Sequence, residues 1–99
     1  MNYKSNLTLD KHYTASKTEL LVGQVVIPSG GTKGTIQIIL IDGSTETVLA
    51  CASAQRVAGG TPNPSNSASA VIHANEQYKI VLLRDSATDA DGYAYYSAI

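Results

Sequence analysis

The sequence predicts an all-β domain, built from about six to eight short antiparallel strands at the spacing of a sandwich or barrel. Three observations predict it. Runs of β-branched and aliphatic residues, ELLVGQVVI (19–27), TIQIIL (35–40) and YKIVLL (78–83), are each only of strand length. Turn-forming residues separate them: Pro28-Ser29-Gly30-Gly31, Asp42-Gly43, GGTPNPSNS (59–67) and DSATDADG (85–92). Apolar and small residues alternate with polar ones along much of the remainder, which is the period of a strand.

Residues 1–12 are polar, with apolar points only at Tyr3, Leu7 and Leu9. Three such side chains are too few to hold a segment alone, so 1–12 reads as an N-terminal arm, mobile or held against a neighbouring chain or surface, with the sandwich domain spanning 13–99. Tyr13-Thr14-Ala15 and Glu19 to Ile27 form one or two strands with a bend near Ser16-Lys17, and Gly23 marks a bulge or a close backbone approach. Asp42-Gly43 is a strong hairpin signal. A two-residue type I′ loop there pairs Ile41 with Ser44, Leu40 with Thr45, Ile38 with Thr47 and Ile36 with Leu49. Apolar residues on both faces of 36–41 predict cover on both sides, by a second sheet and by a partner or the arm.

Beyond the turn, Leu49, Cys51, Ser53 and Gln55 alternate with Val48, Ala50, Ala52 and Ala54, which favours a strand. A helix from Ser44 as N-cap to Gly59-Gly60 as C-cap is the alternative for 44–58. The segment 59–67 is the clearest loop, and exposed loops on a rigid β scaffold are where recognition concentrates. Ser69 to His73 and Tyr78 to Leu83 read as a second hairpin. GYAYYSAI (92–99) is the last strand, with its terminal Ile99 expected to be tucked into the sheet.

Composition narrows the function classes. With 99 residues there is one small core, so neighbouring subunits are expected to supply part of the stability. Seven Lys and Arg against eight Asp and Glu, with no basic cluster, argue against a nucleic-acid partner. No apolar run is long enough to cross a bilayer, and no membrane association is expected. All six aromatic residues are tyrosines, rings suited to sites with one dry and one wet side.

The reactive residue types form no constellation. Cys51, the single cysteine, reads as a small buried hydrophobe, and His12 and His73 share no metal-ligand spacing. In SGGTKG (29–34) Lys33 precedes its glycine, the reverse of a phosphate loop. DSATDADG has oxygen ligands and a glycine but places Tyr96 where a calcium loop needs its bidentate Glu. No catalytic residue, metal site or cofactor is expected, and the chain is read as no enzyme.

The order of features resembles a known class. Tyr13-Thr14-Ala15, a strand 20–26, Gly34-Thr35-Ile36-Gln37, a turn to Val48-Leu49-Ala50, a Gly-rich loop, Asn75-Glu76-Gln77-Tyr78-Lys79-Ile80 and a closing Gly92-Tyr93-Ala94-Tyr95-Tyr96 look like the compact β knobs of bacteriophage fibres and virion surface proteins. Ala15-Ser16-Lys17 stands where those knobs carry Pro and an Asp-Gly turn. The resemblance implies a jelly-roll-like sandwich without enzymatic activity, a homo-oligomer with a trimer favoured, and a place on the virion after assembly in the host cytoplasm.

With numbering from Met1, no fibre shaft is expected ahead of the domain. The expectation is therefore a decoration or cement protein of head-fibre-like kind, bound to a major capsid protein or another virion protein. Its contacts are expected from the arm, at Tyr3, Leu7 and Leu9, and from the terminal strand, at Tyr93, Tyr95 and Tyr96. The alternative is a receptor- or glycan-binding knob of a tail fibre, contacting a host-surface glycan through Thr61, Asn63, Asn66 and the tyrosines.

Overall fold

β-Branched and aliphatic residues dominate the long runs, and in the computed structural model, which describes residues 4–60 and 62–99 and only the backbone at Lys4, Ser5 and Ala98, every regular element is a strand. The strands are β1 (Lys4–Leu7), β2 (Tyr13–Thr14), β3 (Glu19–Val26), β4 (Lys33–Asp42), β5 (Thr45–Gln55), β6 (Ser65–Ile72), β7 (Gln77–Leu83) and β8 (Asp91–Ala98). The segment that could have been a helix is β5.

The strands form two four-stranded antiparallel sheets, in the orders β1-β8-β3-β6 and β2-β7-β4-β5. Pairing is nested: β1 with β8, β2 with β7, β3 with β6 and β4 with β5. One long hairpin wrapped over itself in this way is the eight-stranded jelly roll. The core lies between the sheets, where Leu21 and Val25 of β3 and Ile72 of β6 meet Ile36 and Ile38 of β4 and Tyr78 and Ile80 of β7. Each such aliphatic side chain contributes about 1.5–3 kcal/mol by leaving water. Gly23 has no bulge in its ladders. It is the close approach: a Cβ there would stand 2.8 Å from Ile36 Cγ1.

Three local expectations are corrected. The β4–β5 turn places Gly43 and Ser44, not Asp42 and Gly43, at its centre, with Asp42 paired to Thr45 and Ile41 to Glu46. Gly43 has φ of 62° and Ser44 does not have a positive φ, the pattern of a type II′ turn, so Asp42 is spared the left-handed conformation a type I′ turn would impose. A register shift between Ile38 and Ile39 then pairs Ile38 with Ala50 and Ile36 with Ala52.

The second correction concerns β6 and β7, which are not a hairpin. β6 pairs with β3 and β7 with β4, and the turn between them crosses from one sheet to the other. Asn75, at φ 72°, makes that turn and donates its N–H to Ala15 O at 2.8 Å, while Ala15 N–H returns a bond to Glu76 O at 2.9 Å. Likewise the bend at Ser16-Lys17 carries the chain from β2 in one sheet to β3 in the other.

The third correction is the N-terminal segment, expected as an arm that is mobile or held against a neighbouring chain or surface. Lys4–Leu7 is β1 and pairs with the chain's own β8, from Lys4 opposite Ser97 to Leu7 opposite Ala94. Leu7 and Leu9 pack against the core, and Asp10 N–H donates to Ile80 O at 2.9 Å. The segment therefore does not cover the outer face of β4. There Ile39 stands between Val48 of β5 and Lys79 of β7. Along β8 the chain end is partly as expected: the strand lies inside its sheet, between β1 and β3, but Ile99 beyond it is exposed.

Candidate functional site

Strand alternation decides which tyrosines are available. Ala94 belongs to the core, so Tyr93 and Tyr95, one residue to either side, stand on the outer face of the β1-β8-β3-β6 sheet, while Tyr96 packs against the core. Cross-strand registry surrounds the outer pair with uncharged neighbours. Tyr95 lies opposite Val22, which lies opposite Ser69, and Tyr93 lies opposite Gln24, which lies opposite Ser67. Leu20 and Val71 extend the same face. Tyr93 and Val71 are each nearly half exposed. Along β1 and β8 a shallow depression of about 240 Å³ is lined by Asn6, Tyr93 and Tyr95.

The other expected contact residues are dispersed. Tyr3 and Thr61 lie outside the described residues. Leu7 and Leu9 are committed to the core, and Asn63 is exposed in the loop before β6. Asn66 closes the seam between the sheets: its amide donates to Ser53 O at 3.2 Å, and its side-chain oxygen accepts from Ser67 N–H at 2.9 Å. Cys51, expected to be buried, is exposed because the register puts Ala52 and Ala54 on the inner face of β5.

The loops at the far end are ordered by residues that carry no motif in the sequence. Arg56 donates to four carbonyls, those of Pro28 (2.7 Å), Pro62 (2.5 Å), Gly31 (3.1 Å) and Ile27 (3.2 Å), tying the β3–β4 connection to the loop 56–64. In the DSATDADG segment, Asp89 accepts from Thr32 Oγ1 and Ser86 N–H, both at 3.0 Å. Arg84 donates to Ala87 O and Ala90 O. Among the described residues no three His, Cys, Asp or Glu side chains converge on a point where a metal could sit.

At the opposite end, between the sheets, a cleft of about 300 Å³ is lined by Glu19, Tyr13, Tyr78 and Tyr96, with Asn6, Leu7, Thr14 and Ser16. Glu19 is on the inward side of β3, in phase with Leu21 and Val25, and only 4% exposed. Tyr13 and Tyr78, partners across β2 and β7, stack with centroids 5.6 Å apart. Burial pushes the Tyr78 hydroxyl up to about 12, with the negative charge of Glu19 adding to the rise. Tyr13 is held below the ordinary tyrosine value, because its oxygen accepts the Thr8 N–H at 2.8 Å. The parity of ELLVGQVV, with Glu19 on the same face as Leu21, Gly23 and Val25, is the signal that would have found the buried carboxyl.

Fold and surface together define a jelly-roll module with one tyrosine-bearing open face and no assembled catalytic group among the described residues. Compared with known proteins, the chain matches no family model and no curated protein.

Proposed function

We propose that the chain is a structural virion protein without enzymatic activity, a small oligomeric decoration or cement protein of head-fibre-like kind that binds the capsid surface. The observation that carries this reading is the outer face of the β1-β8-β3-β6 sheet, where Tyr93 and Tyr95 stand among Leu20, Val22, Val71 and serines. Exposed tyrosine on a face poor in charge is a mark of the centre of a protein interface. The jelly roll, which recurs in viral capsid and lectin domains, adds fold-level analogy. With residues 4–12 tied into the fold, the contact surface moves from the arm to this face. A homotrimer joined here would seat on the major capsid protein and stabilise the shell by binding its assembled state.

Sedimentation velocity with and without Val22→Lys tests this, followed by pelleting with purified virus particles. The wild type is expected to sediment as an oligomer and to pellet with particles. The variant, with unchanged circular dichroism, is expected to be monomeric and to stay in the supernatant. A variant that assembles and pellets like the wild type overturns the assignment of this face.

A second reading, a receptor- or glycan-binding knob, is favoured by the depression beside Asn6, Tyr93 and Tyr95, since a tyrosine pair flanked by an amide suits a sugar ring. Its mark is binding to host-cell glycans that Tyr93→Ala removes while oligomeric state is unchanged.

A further inference from the structure

The cleft between the sheets holds a group that the proposed function leaves unused. Glu19 is only 4% exposed as a residue and lines the cleft, no described hydrogen bond or salt bridge involves its carboxyl, and its oxygens are not sealed off without a partner, so they open on the cleft. A carboxylate that few waters can reach is stabilised by a cation or N–H donor that enters beside it. The described salt bridge, Lys79 to Glu46, is on the outer face of the other sheet and cannot serve it.

The surroundings of Glu19 are aromatic. Tyr78, 2% exposed, shares the floor of the cleft with it, and Tyr13 and Tyr96, both half-buried, form the walls. Tyrosine faces carry negative potential and attract cations. The chain already uses one ring in this way: Lys11 Nζ stands 5.3 Å from the Tyr13 ring centroid. A volume of about 300 Å³ is at the small end of ligand pockets and far larger than a bare ion needs. One carboxyl with phenol rings is also a poor set for a hard divalent metal, which asks for several oxygen ligands.

We propose that this cleft is a binding site for a small primary ammonium group, with Glu19 accepting its N–H donors and Tyr96 and Tyr78 flanking its charge. The raised Tyr78 hydroxyl is consistent with the negative field such a cation would enter. A free amine and a lysine side chain of another protein present the same ammonium head, and they differ in the group attached behind it.

The test is an amide NMR titration of the full chain with n-butylammonium chloride, using n-butanol as the neutral isostere and tetramethylammonium as a cation without N–H donors. Saturable shifts are expected at Glu19, Tyr78 and Tyr96, with n-butanol and tetramethylammonium each weaker by about tenfold or more. Glu19→Gln is expected to lose about tenfold or more in n-butylammonium affinity while spectra elsewhere keep their dispersion, and Tyr96→Leu to lose about fivefold. Nα-acetyl-lysine methylamide binding more tightly than n-butylammonium assigns the site to a lysine side chain, and equal or weaker binding assigns it to a free amine. The proposal is overturned by n-butanol binding as well as the ammonium, by shifts outside the cleft, or by unchanged affinity in Glu19→Gln. If that variant does not fold, the comparison of ammonium with alcohol on the wild type decides. Tetramethylammonium binding as tightly as n-butylammonium overturns the role of the N–H donors.

Discussion

At the scale of single residues, the strongest consequences come from side chains whose surroundings contradict their usual place. Tyr78 is a phenol in the core, with its hydroxyl raised from 10.0 to about 12 by burial and then by Glu19, Tyr13 and Tyr96. Below pH 10 the folded and unfolded chains both hold this proton, and the stabilisation is complete. As pH rises beyond 10 the unfolded chain gives it up first, so stability falls and is lost as pH passes about 12. A rise of this size corresponds to an effect on the order of 2–3 kcal/mol. Urea unfolding of the wild type and Tyr78→Phe at pH 8 and pH 11.5 measures it: the variant is expected to lack this part of the alkaline decline.

Arg56 is the second case. Its guanidinium serves four carbonyls from two loops, so Arg56→Met is expected to destabilise by about 2–3 kcal/mol, with Lys recovering only part, as read from denaturant midpoints. Neither role was legible in the sequence. Nothing in Ala54-Gln55-Arg56-Val57 tells which carbonyls a distant turn will present, and a Tyr in an alternating run reads the same whether its hydroxyl meets water or a carboxyl.

At the scale of elements, features set by local chemistry are legible in the sequence, and features that depend on a distant partner are not. The alternation in 48–55 marks a strand, and β5 is one, with Ala52 and Ala54 inward as their parity requires. The turn after Ile41 is where the sequence places it, but its register depends on whether Asp42 or Ser44 accompanies Gly43 at the centre, and a single positive-φ position at Gly43 decides for Ser44. The segment before Tyr13 misleads because a four-residue strand with one partly buried leucine has too little apolar surface to announce itself. Its hydrogen bonds come from β8, at the other end of the chain. Deleting residues 1–7 is therefore expected to strip the edge from β8, uncover Ala94 opposite Leu7, and lower stability by about 2–4 kcal/mol. Thermal unfolding of the truncated chain checks this. A melting temperature equal to that of the full chain would mean β1 adds nothing to the sheet.

At the scale of the whole molecule, the chain is a slab with Cα extents of 44 × 35 × 17 Å, two sheets thick. A slab this thin leaves two broad faces outside its one core, which is the physical ground for expecting neighbours on the face that carries Tyr93 and Tyr95. Its topology also sets a folding rate. Apart from β4–β5, each ladder joins strands distant in sequence, so loop closure must precede most native contacts. Stopped-flow refolding is expected on the millisecond-to-second scale, not in microseconds. The sequence by itself determined the class of the fold, the positions of the long runs and of most turns, and the inward parity of most strands, because alternation, β-branching and turn chemistry act within a few residues of each position. Only the tertiary structure decided that Ser65–Ile72 and Gln77–Leu83 belong to opposite sheets, that β1 closes against β8, that Tyr96 turns inward while Tyr93 and Tyr95 face out, and that Glu19 is enclosed with three tyrosines. Those outcomes rest on pairings between strands far apart in the chain, where one backbone ladder accepts another with almost equal ease and the packing of the shared core makes the choice.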